Sequence, residues 1–202
     1  MNAEHYFTAS PGAPDRRRTI TVELRGHRVE VATAAGTFSA EHLDTGTAVL
    51  LDSVPPPPST GTALDLGCGW GPIAIALALE APGLDVRAVD VNERAVALTA
   101  DNARTLGLDN LHAGTARDVP PELTFDVIWS NPPIRIGKAA LHELLDAWLP
   151  RLAPGGEAHL VVAKQLGADS LQRWLTERFA PATVERTANA RGFRVLTVRR
   201  PR

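Results

Sequence analysis

From about residue 61 onward, short runs of consecutive apolar residues alternate with stretches in which apolar positions recur every three or four residues. That alternation predicts strands buried on both faces, separated by helices that cover a parallel sheet. The apolar runs predict strands at Ala63–Leu66, Asp85–Asp90, Asn110–Ala113, Phe125–Ser130, Ala158–Ala163, Ala182–Thr187 and Phe193–Val198, with Arg191-Gly192 as the turn between the last two. Ile73–Leu79 is apolar on every side, so it predicts a buried helix. Asn92 stands as an N-cap before Val96, Ala100, Ala103 and Leu106 at helical spacing, and Gly107 stands where the C-terminal cap belongs. Leu141, Leu144, Leu145, Trp148, Leu149 and Leu152 form one helix face that Pro154-Gly155-Gly156 should stop, and Ser170–Phe179 is a second amphipathic helix.

Upstream, Thr19–Leu24 and Arg28–Val31 flank Gly26 as two strands of a hairpin would. Asp44-Thr45-Gly46-Thr47 precedes a short apolar run, Ala48–Leu51, read as a short helix. Pro55–Pro58 cannot be helix interior, so these four residues predict a stiff extended linker into the alternating unit. The reading is therefore an α/β chain with a doubly wound, mostly parallel sheet and an N-terminal β-rich extension.

Composition narrows the function. A chain of 202 residues, 44% hydrophobic, buries one main core and has no room for a second domain of ordinary size. It holds no apolar run of the ~20 residues that a membrane span requires, and Met1-Asn2-Ala3-Glu4-His5 lacks the pattern of a secretion signal. A cytoplasmic location and no membrane partner are expected. Cys68 is the single cysteine and the six histidines are scattered without ligand spacing, so no disulfide and no metal site are expected.

The formal charge of −2 speaks against binding nucleic acid through bulk field, but the arginines cluster. Arg16-Arg17-Arg18 with Arg25 and Arg28 is one basic cluster, and Arg186, Arg191, Arg194, Arg199, Arg200 and Arg202 form another. Both are candidates for phosphate contact; the alternative is that a chain rich in Ala and using Arg in place of Lys simply reflects genome composition.

Two motifs carry candidate chemistry. Asp65-Leu66-Gly67-Cys68-Gly69-Trp70-Gly71 lies where the first strand of the alternating unit gives way to a helix, the place where such sheets bind ligands. Its glycines allow close backbone approach and Pro72 suits a first helical turn. The spacing differs from the Gly-x-Gly-x-x-Gly of a dinucleotide site, and an acid precedes it by two residues, which suits a zwitterionic amino-acid group: Asp65 for the ammonium, the helix start for the carboxylate. Asp90 ends the next strand, placed for a ribose diol or, in the bland reading, for capping ahead of Asn92. Cys68 is expected to line the loop and Trp70 to pack.

Asn131-Pro132-Pro133-Ile134 follows a buried strand and is either a turn or a site. Prolines fix φ and lack an N–H, so the carbonyls here should be stiffly held and short of internal donors. The Asn131 amide oxygen and a neighbouring carbonyl would then receive both hydrogens of a planar –NH2 group and aim its lone pair. Both motifs fall at carboxyl ends of strands, so they should share one crevice, as a group transfer requires.

With these residues the chain resembles the class I S-adenosylmethionine-dependent methyltransferases, in the small-domain group that contains ribosomal RNA guanine methyltransferases acting on the exocyclic amine. The resemblance extends to Thr37-Phe38-Ser39, Leu43–Thr47 and Ala190–Val195. It implies a Rossmann-like seven-stranded sheet, with residues 1–40 as the extension and 41–202 as the methyltransferase domain. It implies S-adenosylmethionine as cofactor, bound by Asp65, Gly67, Cys68, Gly69, Asp90 and Val91, with Asp44 and Thr47 near the methionine end. Asn131 would face both cofactor and amine, and Pro132, Pro133 and Ile134 would complete the catalytic loop.

Two positions depart from the pattern. The acid or amide beside the adenine would fall at Thr115–Ala116, and the nearest acid is Asp118; Ile134 stands where many relatives stack Tyr or Phe on the base. The implied partner is ribosomal RNA or the small ribosomal subunit, with Arg135 and Lys138 near its phosphates and the oligomeric state open. Two alternatives keep the same fold: amine methylation of a small molecule or of a protein glutamine, and an RNA-binding assembly factor without catalysis.

Overall fold

The computed structural model describes residues 17–34 and 41–202. Strands β1 (Arg17–Leu24) and β2 (His27–Ala34) pair antiparallel through a two-residue turn at Arg25 and Gly26, both at positive φ, as a tight hairpin of right-handed twist requires. Helix α1 (Thr45–Ser53) leads through the prolines to β3 (Thr60–Leu66), and α2 (Pro72–Glu80), β4 (Gly83–Val89), α3 (Glu93–Leu106) and β5 (Leu111–Gly114) follow. Then come β6 (Phe125–Ser130), α4 (Lys138–Trp148), β7 (Leu152–Ala163), α5 (Ala168–Arg178), β8 (Thr183–Ala190) and β9 (Phe193–Arg199).

Strands β3 to β9 form one seven-stranded sheet in the order β5-β4-β3-β6-β7-β9-β8; β9 runs antiparallel to both its neighbours and the other pairings are parallel. This is the doubly wound, Rossmann-like class I architecture read from the sequence. Side-chain alternation splits the core into two layers. Ala63, Val86, Val127 and Val161 pack under the hairpin, α1, α2 and α3, whereas Leu64, Ile128, Leu160 and Leu196 pack under α4 and α5. Helix α2 is buried from Pro72 through Ala78, which explains its lack of a polar face.

Several predicted boundaries move. Asn92 caps α3 by accepting the Arg94 N–H at 3.0 Å and Gly107 closes it in the left-handed region, as read. Helix α1 begins earlier than its apolar run, because the Asp44 carboxylate accepts the Thr47 N–H at 3.0 Å and draws Thr45-Gly46-Thr47 into the first turn. Helix α4 ends at Trp148, and Leu152 opens a strand, contrary to the helix-face reading. The Pro154-Gly155-Gly156 segment is taken up as an irregularity within β7, between the Phe125–Leu152 and Val127–Glu157 pairs. There a Cβ on Gly156 would meet three carbonyl oxygens at 2.9–3.0 Å, so only glycine fits.

The core also holds a titratable group. His159 on β7 is 3% exposed, bonded through Nδ1 to the Thr197 hydroxyl at 2.9 Å and set edge-on to Trp129. Burial pulls its pKa down to about 4, against the opposing pull of Glu157. The folded protein keeps the ring neutral while the unfolded chain protonates it, so stability is lost as pH falls from the ordinary histidine range toward 4. The loss amounts to roughly 3 kcal/mol. Urea melts of the wild type and of His159→Gln between pH 7 and 4 should show a shallower decline in the variant.

Candidate active site

The carboxyl ends of β3 and β4 are tied together first. The Gly67 and Cys68 N–H groups both donate to the Val89 carbonyl, at 2.8 and 3.1 Å, and the Gly69 N–H donates to Asp90 Oδ2 at 3.0 Å. Asp90 Oδ1 accepts the Asn92 N–H at 2.9 Å, so this carboxylate braces the loop and the start of α3 together. The loop can turn because Gly67, Gly69 and Gly71 all adopt positive φ; at Gly71 a Cβ would also lie 2.8 Å from the Thr99 methyl. Pro72 then opens α2, Asp65 Oδ2 accepts the Ala74 N–H at 3.0 Å, and the N–H groups of Trp70 and Ile73 have no acceptor among the described residues. Those two donors at a helix start are suited to an anion.

Asp65 is fully buried and its Oδ1 has no partner among the described residues. Burial raises its pKa to about 8, with the Ala74 N–H opposing and Asp90 adding to the rise. Desolvation also lifts Asp90, against three backbone N–H bonds, and lifts the Cys68 thiol, which the two carboxylates raise further. Cys68 is therefore a buried neutral thiol that packs behind the loop.

The second motif arrives on β6. Ser130 Oγ–H donates to the Leu66 carbonyl at 2.6 Å, clipping the end of β6 to the end of β3 just where each chain leaves the sheet. Asn131 Nδ2 donates to Asp44 Oδ2 at 2.8 Å and to Thr47 Oγ1 at 3.1 Å, linking the loop to the first turn of α1. The Pro133 ring lies 3.9 Å from where a Cβ on Gly67 would stand. Ile134 is half-buried and packs on the α4 layer, and the Phe193 ring lies against Gly46.

Contrary to the sequence reading, the proline carbonyls meet internal donors: Pro132 O accepts the Ile134 N–H at 2.8 Å across a three-residue turn centred on Pro133, and Pro133 O accepts the Ile136 N–H at 3.1 Å where a short helical turn begins. One lone pair on each carbonyl remains.

Asp44, Thr47, Gly67, Cys68, Gly69, Trp70, Pro72, Ile73 and Asn131 line one cleft. Asp65 and Asp90 lie behind its glycine loop and brace it, Val91 is exposed at the end of β4, and Asp118 stands away from this lining. Asp118 Oδ2 accepts the Thr115 N–H and hydroxyl at 2.7 and 2.8 Å, bonds that hold its carboxyl below the usual range. Sequence reasoning passed over Ser130, a polar residue ending an apolar strand, whereas the helix start it offered to a carboxylate is where the N–H groups of Trp70 and Ile73 stand open.

The arginine clusters are largely committed to the fold. Arg25 bonds Glu80 at 2.6 Å, the Val54 carbonyl at 3.0 Å and the Leu51 carbonyl; Arg17 pairs with Asp101 and Arg18 with Glu41. Arg186 and Arg194 share Asp169, Arg199 bridges Glu157 and Glu185, Arg191 faces Asp52, and Arg200 holds the Pro150 and Leu152 carbonyls. Arg16 and the Thr37-Phe38-Ser39 segment lie outside the described residues. Among the described residues no three His, Cys, Asp or Glu side chains gather as a metal site would need, and no helix is long and apolar enough to cross a membrane.

Comparison with known proteins places this geometry. Residues 28–197 match the family described as Methyltransferase small domain. The uncharacterized protein YbxB of Bacillus subtilis is 34% identical over 185 residues, 90% of this chain and 92% of YbxB. The ribosomal RNA small subunit methyltransferase C of Pseudomonas syringae pv. syringae is 32% identical over 91% of this chain and 55% of its own length. Among solved structures, the T. thermophilus 16S rRNA N2 methyltransferase RsmC, in complex with AdoMet and guanosine, superposes with a TM-score of 0.79 at 25% identity. The match covers 94% of this chain and 52% of that one, so the chain spans about half the length of the ribosomal RNA methyltransferases it matches. A match over most of the chain, on a sheet that brings both motifs to one cleft, establishes that the chain belongs to the methyltransferase small domain family.

Proposed function

We propose that the protein transfers a methyl group from S-adenosylmethionine to an exocyclic amine, most specifically that of guanine in small-subunit ribosomal RNA. The observation that carries this reading is that Asn131 lines the same cleft as the glycine loop, so a group held by one motif is within reach of the other. The similarity to named ribosomal RNA methyltransferases supports the choice of RNA.

The residues present fit that cofactor. The unpartnered Oδ1 of Asp65 suits an ammonium, reached across the loop, and the open N–H groups of Trp70 and Ile73 suit a carboxylate. Asp90 retains lone pairs for ribose hydroxyls beyond those taken by the Gly69 and Asn92 N–H groups. When bound, the cofactor supplies a methyl group on a sulfonium whose sulfur leaves with the bonding electron pair.

The chain's own part in the reaction is placement. Asn131 Oδ1 accepts one hydrogen of the amine and the remaining lone pair of the Pro132 carbonyl accepts the other, which directs the nitrogen lone pair at the methyl carbon. Both oxygens stabilise the positive charge that grows on nitrogen as the N–C bond forms. The proton then passes from nitrogen to water. A base within folded RNA must leave its stack to reach this cleft. Incubation with radiolabelled S-adenosylmethionine should put label into ribosomal RNA or small subunits and leave ribosomal protein unlabelled; label confined to protein would exclude the RNA reading.

A further inference from the structure

We infer that Asp44 and Thr47 are positioning residues that lock the Asn131 side-chain amide in one orientation, so that only its carbonyl oxygen is offered to the acceptor. This rests on the amine-methylation reading above, and it assigns the two α1 residues a role through Asn131 in place of contact with the methionine end of a cofactor.

An amide NH2 has two hydrogens, and here both are used: one on Asp44 Oδ2 at 2.8 Å, the other on Thr47 Oγ1 at 3.1 Å. The flipped amide is disfavoured chemically as well as geometrically. Asp44 Oδ2 already accepts the Thr47 N–H at 3.0 Å, so turning Asn131 Oδ1 toward it would set two acceptor oxygens face to face. Oδ1 therefore points away from α1. It has no donor among the described residues and is not a buried atom, which leaves it available in the cleft that Asn131 lines.

The two oxygens that hold the amide are themselves fixed. Asp44 is the N-cap of α1, and its carbonyl accepts the Ala48 N–H at 2.8 Å. Thr47 is 3% exposed in the first turn, so neither acceptor swings freely. A bond to a carboxylate also polarises the amide and puts more negative charge on Oδ1, where positive charge develops during transfer. An unlocked amide spends part of its time presenting NH2 to the incoming amine, donor against donor, which blocks alignment.

The test uses the whole chain in two arms. In the first, without cofactor or acceptor, hydrogen exchange of the Asn131 side-chain NH2 is followed by 15N NMR, the signal being identified by its loss in Asn131→Asp. Exchange should be at least about tenfold slower than for the exposed Asn189 and should approach it in the Asp44→Ser, Thr47→Val double variant; Ser keeps the helix cap with an oxygen one bond shorter. In the second, each variant should lose about tenfold to a hundredfold in kcat with the S-adenosylmethionine Kd within about twofold of wild type, and Asp44→Asn and Thr47→Ser should recover most of it.

Asn131 exchanging as fast as Asn189 in the wild type would overturn the inference. So would variants that weaken S-adenosylmethionine binding and leave kcat unchanged, since that is the signature of a cofactor contact. A wild-type protein that methylates no amine would sink the functional reading instead, and the exchange arm would still decide the amide's orientation.

Discussion

Asn131→Ala is expected to lower kcat for methyl transfer by about 10²–10³-fold, the scale seen when one preorganised hydrogen-bonding group is removed from a site of developing charge. On the proposed mechanism the substitution deletes the oxygen that would receive the amine hydrogen, and it also frees Asp44 and Thr47, whose acceptors are then left to water. Because the loss falls on alignment in the transition state, kcat and kcat/KM should fall together while acceptor affinity changes little. A thermal melt checks that the fold survives: Ser130 still clips β6 to β3, and the prolines still set the loop. Full turnover in this variant would remove Asn131 from the mechanism.

Asp65→Asn should separate stability from binding. The carboxyl is fully buried with a pKa raised to about 8, against an ordinary value of 3.8. Below the ordinary value both folded and unfolded states are protonated. As pH rises from about 4 to about 8 the unfolded chain ionises and the folded one does not, so the native protein loses stability across that window. The loss is on the order of 5 kcal/mol by the upper end. Asparagine cannot ionise, so the variant should melt higher than wild type at pH 8, with the difference shrinking toward pH 4. It should also bind S-adenosylmethionine at least about tenfold more weakly, since a carboxyl can ionise against an arriving ammonium and an amide cannot. A variant that is more stable and binds as well as wild type would confine Asp65 to a structural role.

Much of this architecture was legible because its signals are local. The caps of α3 at Asn92 and Gly107, the all-apolar α2 and the tight turn at Arg191-Gly192 each depend on residues within a few positions of one another. The two halves of the cleft were legible for a related reason: strand ends in a doubly wound sheet converge on one edge, whatever lies between them.

What escaped depends on partners distant in the chain. Arg17 meets Asp101 and Arg199 meets Glu157 only in the fold, so clusters that read as open cations are mostly ion-paired or bonded to carbonyls. Leu152 continues the apolar spacing of α4, yet it pairs with Phe125 across the sheet and becomes strand. The Pro132 carbonyl lost one lone pair to a turn that nothing in Asn-Pro-Pro-Ile announces. The bond from Asn131 to Asp44 joins residues 87 positions apart, and without it the sequence could propose an amide oxygen for the amine but not say what aims it.

The proposed reaction makes a chemical claim, that the methyl group goes to an exocyclic amine nitrogen. The direct test is to methylate unmodified ribosomal RNA with isotopically labelled S-adenosylmethionine, digest it to nucleosides and locate the label by mass spectrometry. The predicted product is guanosine carrying the label on its exocyclic nitrogen. Label on a base carbon, on a ring nitrogen or on a ribose 2′-oxygen would contradict the account.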